Sequence, residues 1–154
     1  MKMKPDDITK YPKFAHYVRH KIPELALVGP VVHNLKAKGC LTEAEIHDAL
    51  RWGHEPLIVI TDLSNGQCSV PSAYGCTRKA NNRQIEIDEG TVQEFEDSPD
   101  ALGVGKNAKG KNVYIVGVTL LHELCHVGHY KHGKAEKTEA GFTFENATYG
   151  KSVP

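Results

Sequence analysis

The sequence carries no excess of either charge: 19 Lys and Arg stand against 19 Asp and Glu in 154 residues, a formal net charge of zero. No sequence-wide field therefore draws the chain to nucleic acid or to an anionic membrane. No apolar run approaches the ~20 residues that cross a bilayer, so no membrane span is expected. The start, Met1-Lys2-Met3-Lys4-Pro5-Asp6-Asp7, is charged and has no apolar stretch after it, so a classical secretory signal is absent. Three expectations remain open: export by a route that reads no such signal, residence in the cytoplasm, or origin as a piece of a longer chain. Cys40, Cys68, Cys76 and Cys125 form no C-x-x-C and no Cys-rich zinc pattern. Cys68 and Cys76 flank a short Ser/Pro/Gly-rich stretch and can pair, whereas Cys125 reads as a small buried apolar residue.

Another absence removes nucleotide binding. Gly105 to Asn112 imitates a phosphate-binding loop, but Asn112 stands where such a loop needs Ser or Thr for Mg²⁺, and no strand feeds it. The length and ordinary composition suit one domain, spanning residues 1–154, with a modest core.

In chain order, residues 1–39 read as interrupted helix. Pro12, Pro23 and Pro30 open or restart turns, and Gly39 ends the last of them. Thr42 with Glu45 is a capping box opening a helix through Ile46, Ala49, Leu50 and Trp52, ended by Gly53. Leu57 to Thr61 is a buried strand, Asn65-Gly66 a turn, and 67–70 a possible return strand. Residues 71–82 form a polar loop. Gln84 to Asp88 alternates, with Ile85 and Ile87 inward. Residues 89–97 suit a short helix with Val92 and Phe95 inward, and 98–112 a Gly/Lys-rich loop. Val113 to Val116 is either a strand or the start of one buried helix reaching Tyr130, with Gly128 near its weakening end.

What is present is concentrated in Leu121-His122-Glu123-Leu124-Cys125-His126-Val127. Histidines four apart project from one helix face about a turn from each other, so both imidazoles can reach one metal ion. Zn²⁺ suits imidazole donors, and a catalytic site keeps a position open for water. Glu123 follows the first ligand directly and can take a proton from that water as general base. Such a His-Glu pair on an apolar helix would be costly to bury without a purpose. The other histidines, at 16, 20, 33, 47 and 54, lack ligand spacing and read as structural or solvent-facing.

A third protein ligand is expected from the tail. His132 stands at the last position of H-E-x-x-H-x-x-G-x-x-H, but His129 replaces the required Gly and no Met follows. Glu136 and Glu139 lie in or beside the Lys-rich 134–137 stretch and read as solvated. Glu145, in Phe144-Glu-Asn-Ala-Thr-Tyr-Gly150 after Gly141, is the expected ligand, carried by a following helix, with Glu139 next and His132 third. Tyr149 and His129 are candidate oxyanion donors.

On Leu121 to Val127 and the Glu145 to Gly150 tail, about a fifth of the chain, the sequence resembles the zincin metallopeptidases. It resembles in particular the small zincin-like toxin domains of bacterial polymorphic and type VI secretion effectors. The resemblance implies an α+β fold with a small mixed or antiparallel sheet, N-terminal helices and a metal-bearing helix. It implies Zn²⁺ held by His122, His126 and Glu145, Glu123 as base, and hydrolysis of peptide bonds in a protein or peptide substrate. It also implies an edge strand that aligns the substrate, for which Gln84 to Asp88 is the expected choice. An immunity protein is a candidate partner. The expected place of action is a target cell, with its periplasm as one possibility. Two other readings compete: a zinc-binding scaffold without catalysis, against which Glu123 argues, and a housekeeping cytosolic metallopeptidase.

Overall fold

A computed structural model describes residues 1–66, 68 and 73–153. The architecture is mixed α+β: among the described residues, seven α-helices surround a four-stranded mixed sheet, with a two-stranded hairpin beside it.

The first third is helical, as its prolines suggest. A two-residue strand, β1 (Lys2–Met3), precedes α1 (Pro5–Lys10) and α2 (Pro12–His16). A π turn (Tyr17–Lys21) and a 3₁₀ turn (Pro23–Leu27) lead to α3 (Gly29–Gly39). Pro5, Pro12, Pro23 and Pro30 each lie in a first turn, where the missing N–H has no helical acceptor to lose. Strand β1 alone departs from the helical reading of this third, and two residues are too short to carry a strand signal. Helix α4 (Glu43–Leu50) opens on the Thr42–Glu45 capping box with both reciprocal bonds present. It stops two residues short of Trp52.

Strand β2 (Leu57–Thr61) falls where the β-branched run placed it. Only Ile58 of that run is fully buried, so the expectation of a wholly buried strand holds in part. The return strand expected over 67–70 lies outside the described residues, Cys68 excepted. The polar loop expected over 71–82 holds instead the strand β3 (Gly75–Arg78), joined through Lys79-Ala80 to β4 (Asn81–Asp88). Its sequence, Gly-Cys-Thr-Arg, has no apolar alternation to announce it.

Strand order is β1-β2-β4-β3. Both β1 and β4 run parallel to β2, and β3 runs antiparallel to β4. Strand β4 is therefore interior, and the expectation that Gln84 to Asp88 forms a substrate-aligning edge is corrected: its two backbone edges are taken by β2 and β3. Among the described residues the edge on that side is β3. Ile85 and Ile87 face the core fully buried, as the alternation requires. Helix α5 (Glu89–Asp97) is capped by Asp88 and turns Val92 and Phe95 inward.

The Gly/Lys-rich stretch folds as a hairpin, β5 (Val104–Lys106) with β6 (Asn112–Tyr114). Helix α6 (Ile115–Lys131) begins directly after it, so the open choice between strand and helix resolves as a short strand followed by a helix. Twelve of its 17 residues are buried, so its surroundings cover it on nearly every side. Gly128 does not end it. A Cβ there would come within 1.9 Å of the Gly39 carbonyl oxygen, so its role is to let α3 and α6 approach. Helix α7 (Ala140–Tyr149) then packs on α6 and α3, with Asn34 Nδ2 donating to Thr148 Oγ1 at 3.1 Å. Phe14, Leu35, Ile46, Ile58, Ile85, Leu120 and Phe144 fill the core between these layers, all fully buried. Each such side chain contributes about 1.5–3 kcal/mol relative to exposure.

Candidate active site

Helix α6 carries the H-E-x-x-H stretch past the edge of the sheet, where the cover opens into a cleft of about 510 Å³. The ring centroids of His122 and His126 lie 5.2 Å apart, one turn along the helix. One donor atom each from His122, Glu123 and His126 falls within 4.8 Å of the others, a group able to hold a metal ion.

The two faces of each imidazole are used differently. Nε2 of His122 and Nε2 of His126 both point at a single oxygen, Oε1 of Glu139, at 2.9 and 2.5 Å. Nδ1 of His122 meets Glu145 Oε1 at 2.5 Å, and Nδ1 of His126 meets Glu136 Oε1 at 2.6 Å. A carboxylate on Nδ1 favours the proton on that nitrogen, so when metal displaces the second proton the Nε2 lone pair faces inward. Two inward imidazole nitrogens and one carboxylate oxygen form a donor set that a borderline cation such as Zn²⁺ accepts, so the residues fit the metal that the motif implies.

Local structure explains why these carboxylates arrive there. Glu139 is the N-cap of α7 and accepts the Phe142 N–H. Its helix-capping position holds it beside the imidazoles. Glu145 lies farther along the same helix, 3% exposed, with its second oxygen accepting the Val153 N–H at 2.6 Å. Glu136 accepts the Ala140 N–H at 3.3 Å. Gly141 makes the close docking of α7 possible: a Cβ there would stand 2.1 Å from His122 Cδ2.

The electrostatics follow from burial against charge. Burial pulls the His122 imidazolium down, but Glu139 and Glu145 outweigh it and raise its pKa to about 10. His126 is likewise raised to about 9, by Glu139, Glu123 and Glu136 against burial. Burial works against the charged form of Glu139 too, yet the two imidazoles hold its carboxyl well below the usual range. Glu123 moves the other way: burial raises it, and the neighbouring histidines and Thr77 only partly offset that.

Glu123 is 5% exposed, with Oε1 4.0 Å from His122 Nε2. Thr77 of β3 donates its hydroxyl to Glu123 Oε2 at 2.7 Å. The strand also presses on the side chain at Gly75, where a Cβ would meet Glu123 Cγ and Thr119 Cγ2 at 2.8 Å. A disulfide joins Cys76 of this strand to Cys68, both on the wall of the cleft. Phe142 stands edge-on to the His122 ring at 5.0 Å, and Tyr130 stacks by His126 at 6.3 Å.

Of the residues singled out from sequence, His122, Glu123 and His126 come together directly. Glu145 joins them on the Nδ1 side of His122, while Glu139 faces both Nε2 atoms. Glu136 and Glu139, read as solvated, both meet the imidazoles, and Glu139 does so with 38% of its side chain still exposed. His132 turns away to Glu45 at 3.0 Å. Neither oxyanion candidate lines the cleft: Tyr149 packs against Phe144, and His129 is buried with Nε2 on the Lys38 carbonyl at 2.8 Å. Sequence reasoning missed Thr77, Tyr130 and Phe142. It also missed the signal for Glu139, a carboxylate standing at the start of a helical segment.

A search of the curated proteins and one of the solved structures return no match. A family model does match, over residues 7–150, and its description is metallopeptidase toxin 3. That span takes in every side chain of the cluster just described and nearly all of the fold that holds it. The chain belongs to the metallopeptidase toxin 3 family, and is a peptide-bond hydrolase acting on protein.

Proposed function

We propose that this chain is a single-domain zinc endopeptidase of the zincin type, with His122, His126 and Glu139 holding the metal and Glu123 serving as general base. One observation carries the reading: both Nε2 atoms converge on one Glu139 oxygen, with the Glu123 carboxylate beside them. Glu145 and Glu136 occupy the Nδ1 atoms, so they orient the imidazoles from behind. Assigning the third ligand to Glu139 in place of Glu145 rests on those distances. When bound, the metal supplies a Lewis acid that polarises the scissile carbonyl and makes water a stronger acid.

The chain's own residues do the rest. An extended peptide pairs with the outer edge of β3, main chain to main chain, which brings its backbone past Glu123. Glu123 Oε1 accepts a proton from the attacking water and returns it to the leaving amine. Phe142 and Tyr74, both exposed at the cleft, give the substrate apolar surface to pack on. The family supports a toxin delivered into a target cell and countered by an immunity protein. The Cys68–Cys76 bridge supports action in an oxidising compartment such as a target periplasm.

The experiment is metal analysis with mutants. Wild-type protein should carry about one zinc per chain. His122→Ala, His126→Ala and Glu139→Ala should lose it, and Glu145→Gln should weaken it by ~10–100-fold, the usual effect of removing an orienting carboxylate. Glu123→Gln should keep the zinc and lose at least ~100-fold in peptidase activity. Retention of stoichiometric zinc by Glu139→Ala with its loss in Glu145→Gln would return the third position to Glu145. Full activity of zinc-loaded Glu123→Gln would remove this helix from the chemistry.

A further inference from the structure

The Glu123 carboxylate is not left to find its own orientation. Strand β3 comes so close at Gly75 that a Cβ there would stand 2.8 Å from Glu123 Cγ and 3.0 Å from its Oε1, so the side chain is backed by the strand. Its Oε2 accepts the Thr77 hydroxyl at 2.7 Å, and its Oε1 is the oxygen that faces His122 Nε2. The same hydroxyl lies 3.3 Å from the Glu123 carbonyl oxygen, a poorer acceptor by distance, so its single proton goes to the carboxylate. A carboxylate buried to this degree has few other donors to choose from.

We propose that Thr77 is a positioning residue that selects which oxygen of Glu123 faces the reacting water. The proposal rests on Glu123 acting as base. Thr77 occupies Oε2, fixes the carboxylate plane, and leaves Oε1 as the free acceptor. Both contacts of its hydroxyl are to Glu123. Its effect passes through Glu123 alone. The strand that binds the peptide then also sets the base, because Thr77 lies in β3, whose outer edge is the proposed peptide-pairing edge.

The variants are Thr77→Val, which keeps the β-branched shape and removes the hydroxyl, and Thr77→Ser, which restores it. Each is prepared zinc-loaded and assayed on an internally quenched random peptide library and on unfolded casein. Thr77→Val should lose ~10–100-fold in kcat, the scale of a misplaced catalytic group, with KM within twofold and zinc content unchanged. Thr77→Ser should recover most of the loss. In a Glu123→Gln background, Thr77→Val should cost nothing further. Infrared difference spectra supply a readout independent of turnover: the band that disappears in Glu123→Gln should shift in Thr77→Val and return in Thr77→Ser. An unshifted band, a loss confined to KM, or a Thr77→Ser protein as slow as Thr77→Val each overturns the proposal. If Glu123→Gln itself retains full activity, the assignment of the base fails instead, and an infrared shift in Thr77→Val would still stand as evidence of the contact.

Discussion

Gly141→Ala sets two effects of opposite sign against each other. Gly141 is the second residue of α7, and its φ is not in the left-handed region, so alanine meets no backbone strain there. By helix propensity alone the change would stabilise the protein, by up to about 1 kcal/mol. The structure reverses that expectation. The new Cβ would stand 2.1 Å from His122 Cδ2, 2.2 Å from Nε2 and 2.3 Å from Cγ, whereas ordinary contacts begin at 3.4 Å. Ring and helix must part by about 1 Å or more, a shift that in catalytic sites costs on the order of 100-fold in rate. The ring has little freedom to give way, since Nδ1 is bonded to Glu145 and Phe142 stands edge-on beside it. Overpacking of this kind typically costs about 1–3 kcal/mol, enough to cancel the propensity gain. Zinc affinity measured by competition with a chromophoric chelator should fall, and peptidase activity at saturating zinc should fall by about 100-fold. An alanine variant that is more stable, binds zinc normally and remains fully active would refute the placement of α7 against the metal-bearing helix.

Other perturbations test the scaffold. Gly128→Ala should cost about 1–3 kcal/mol by urea denaturation, because its methyl would run into the Gly39 carbonyl; an unchanged midpoint would mean α3 and α6 are farther apart than 1.9 Å from that Cβ implies. Reducing the Cys68–Cys76 bridge, or Cys68→Ser with Cys76→Ser, should lower stability by roughly 2–3 kcal/mol from loop entropy over a separation of eight residues; equal thermal midpoints with and without reductant would exclude the bridge. Glu45 opposes burial with the Thr42 N–H, His132 and Lys131, which lower its carboxyl from 4.5 to about 2. A depressed carboxyl stabilises fully above pH 4.5 and loses that contribution as pH falls through 2. Solvent screening of this surface group cuts the contribution to about 1 kcal/mol, so Glu45→Gln should cost about that at pH 7 and nearly nothing at pH 2. An identical deficit at both values would mean the charge plays no part.

The elements that the sequence made legible are those whose signal is local. Thr42 and Glu45 announce their helix because a capping box is written in four residues, and Ile85 and Ile87 announce β4 because a strand buried on one face alternates. His122, Glu123 and His126 are legible because their geometry is internal to one helix. Strand β3 was hidden because Gly75, Cys76, Thr77 and Arg78 owe their conformation to pairing with β4 and to a disulfide, not to their own propensities. Where Glu139 and Glu145 stand about the imidazoles was hidden for a similar reason. Both lie in the tail, and only the docking of α7 on α6, set by glycine at position 141, decides which carboxylate meets Nε2 and which meets Nδ1. Gly128 was misread because a glycine late in a helix looks the same whether it ends the helix or admits a neighbour.

Glu139 serves two masters. Its carboxylate caps α7 through the Phe142 N–H and faces both imidazoles. On the proposed ligand set, occupancy of the cation and order of the C-terminal helix are linked variables of one equilibrium. Reciprocity follows: whatever clamps residues 140–149 onto the body tightens the ion, and the ion clamps those residues by the same factor. A partner that seizes the tail could then disarm the protein without entering the cleft, by stripping the zinc from a distance. A chelator would act in the reverse sense, as a reagent that frees the last helix, and amide hydrogen exchange along 140–149 would register its addition.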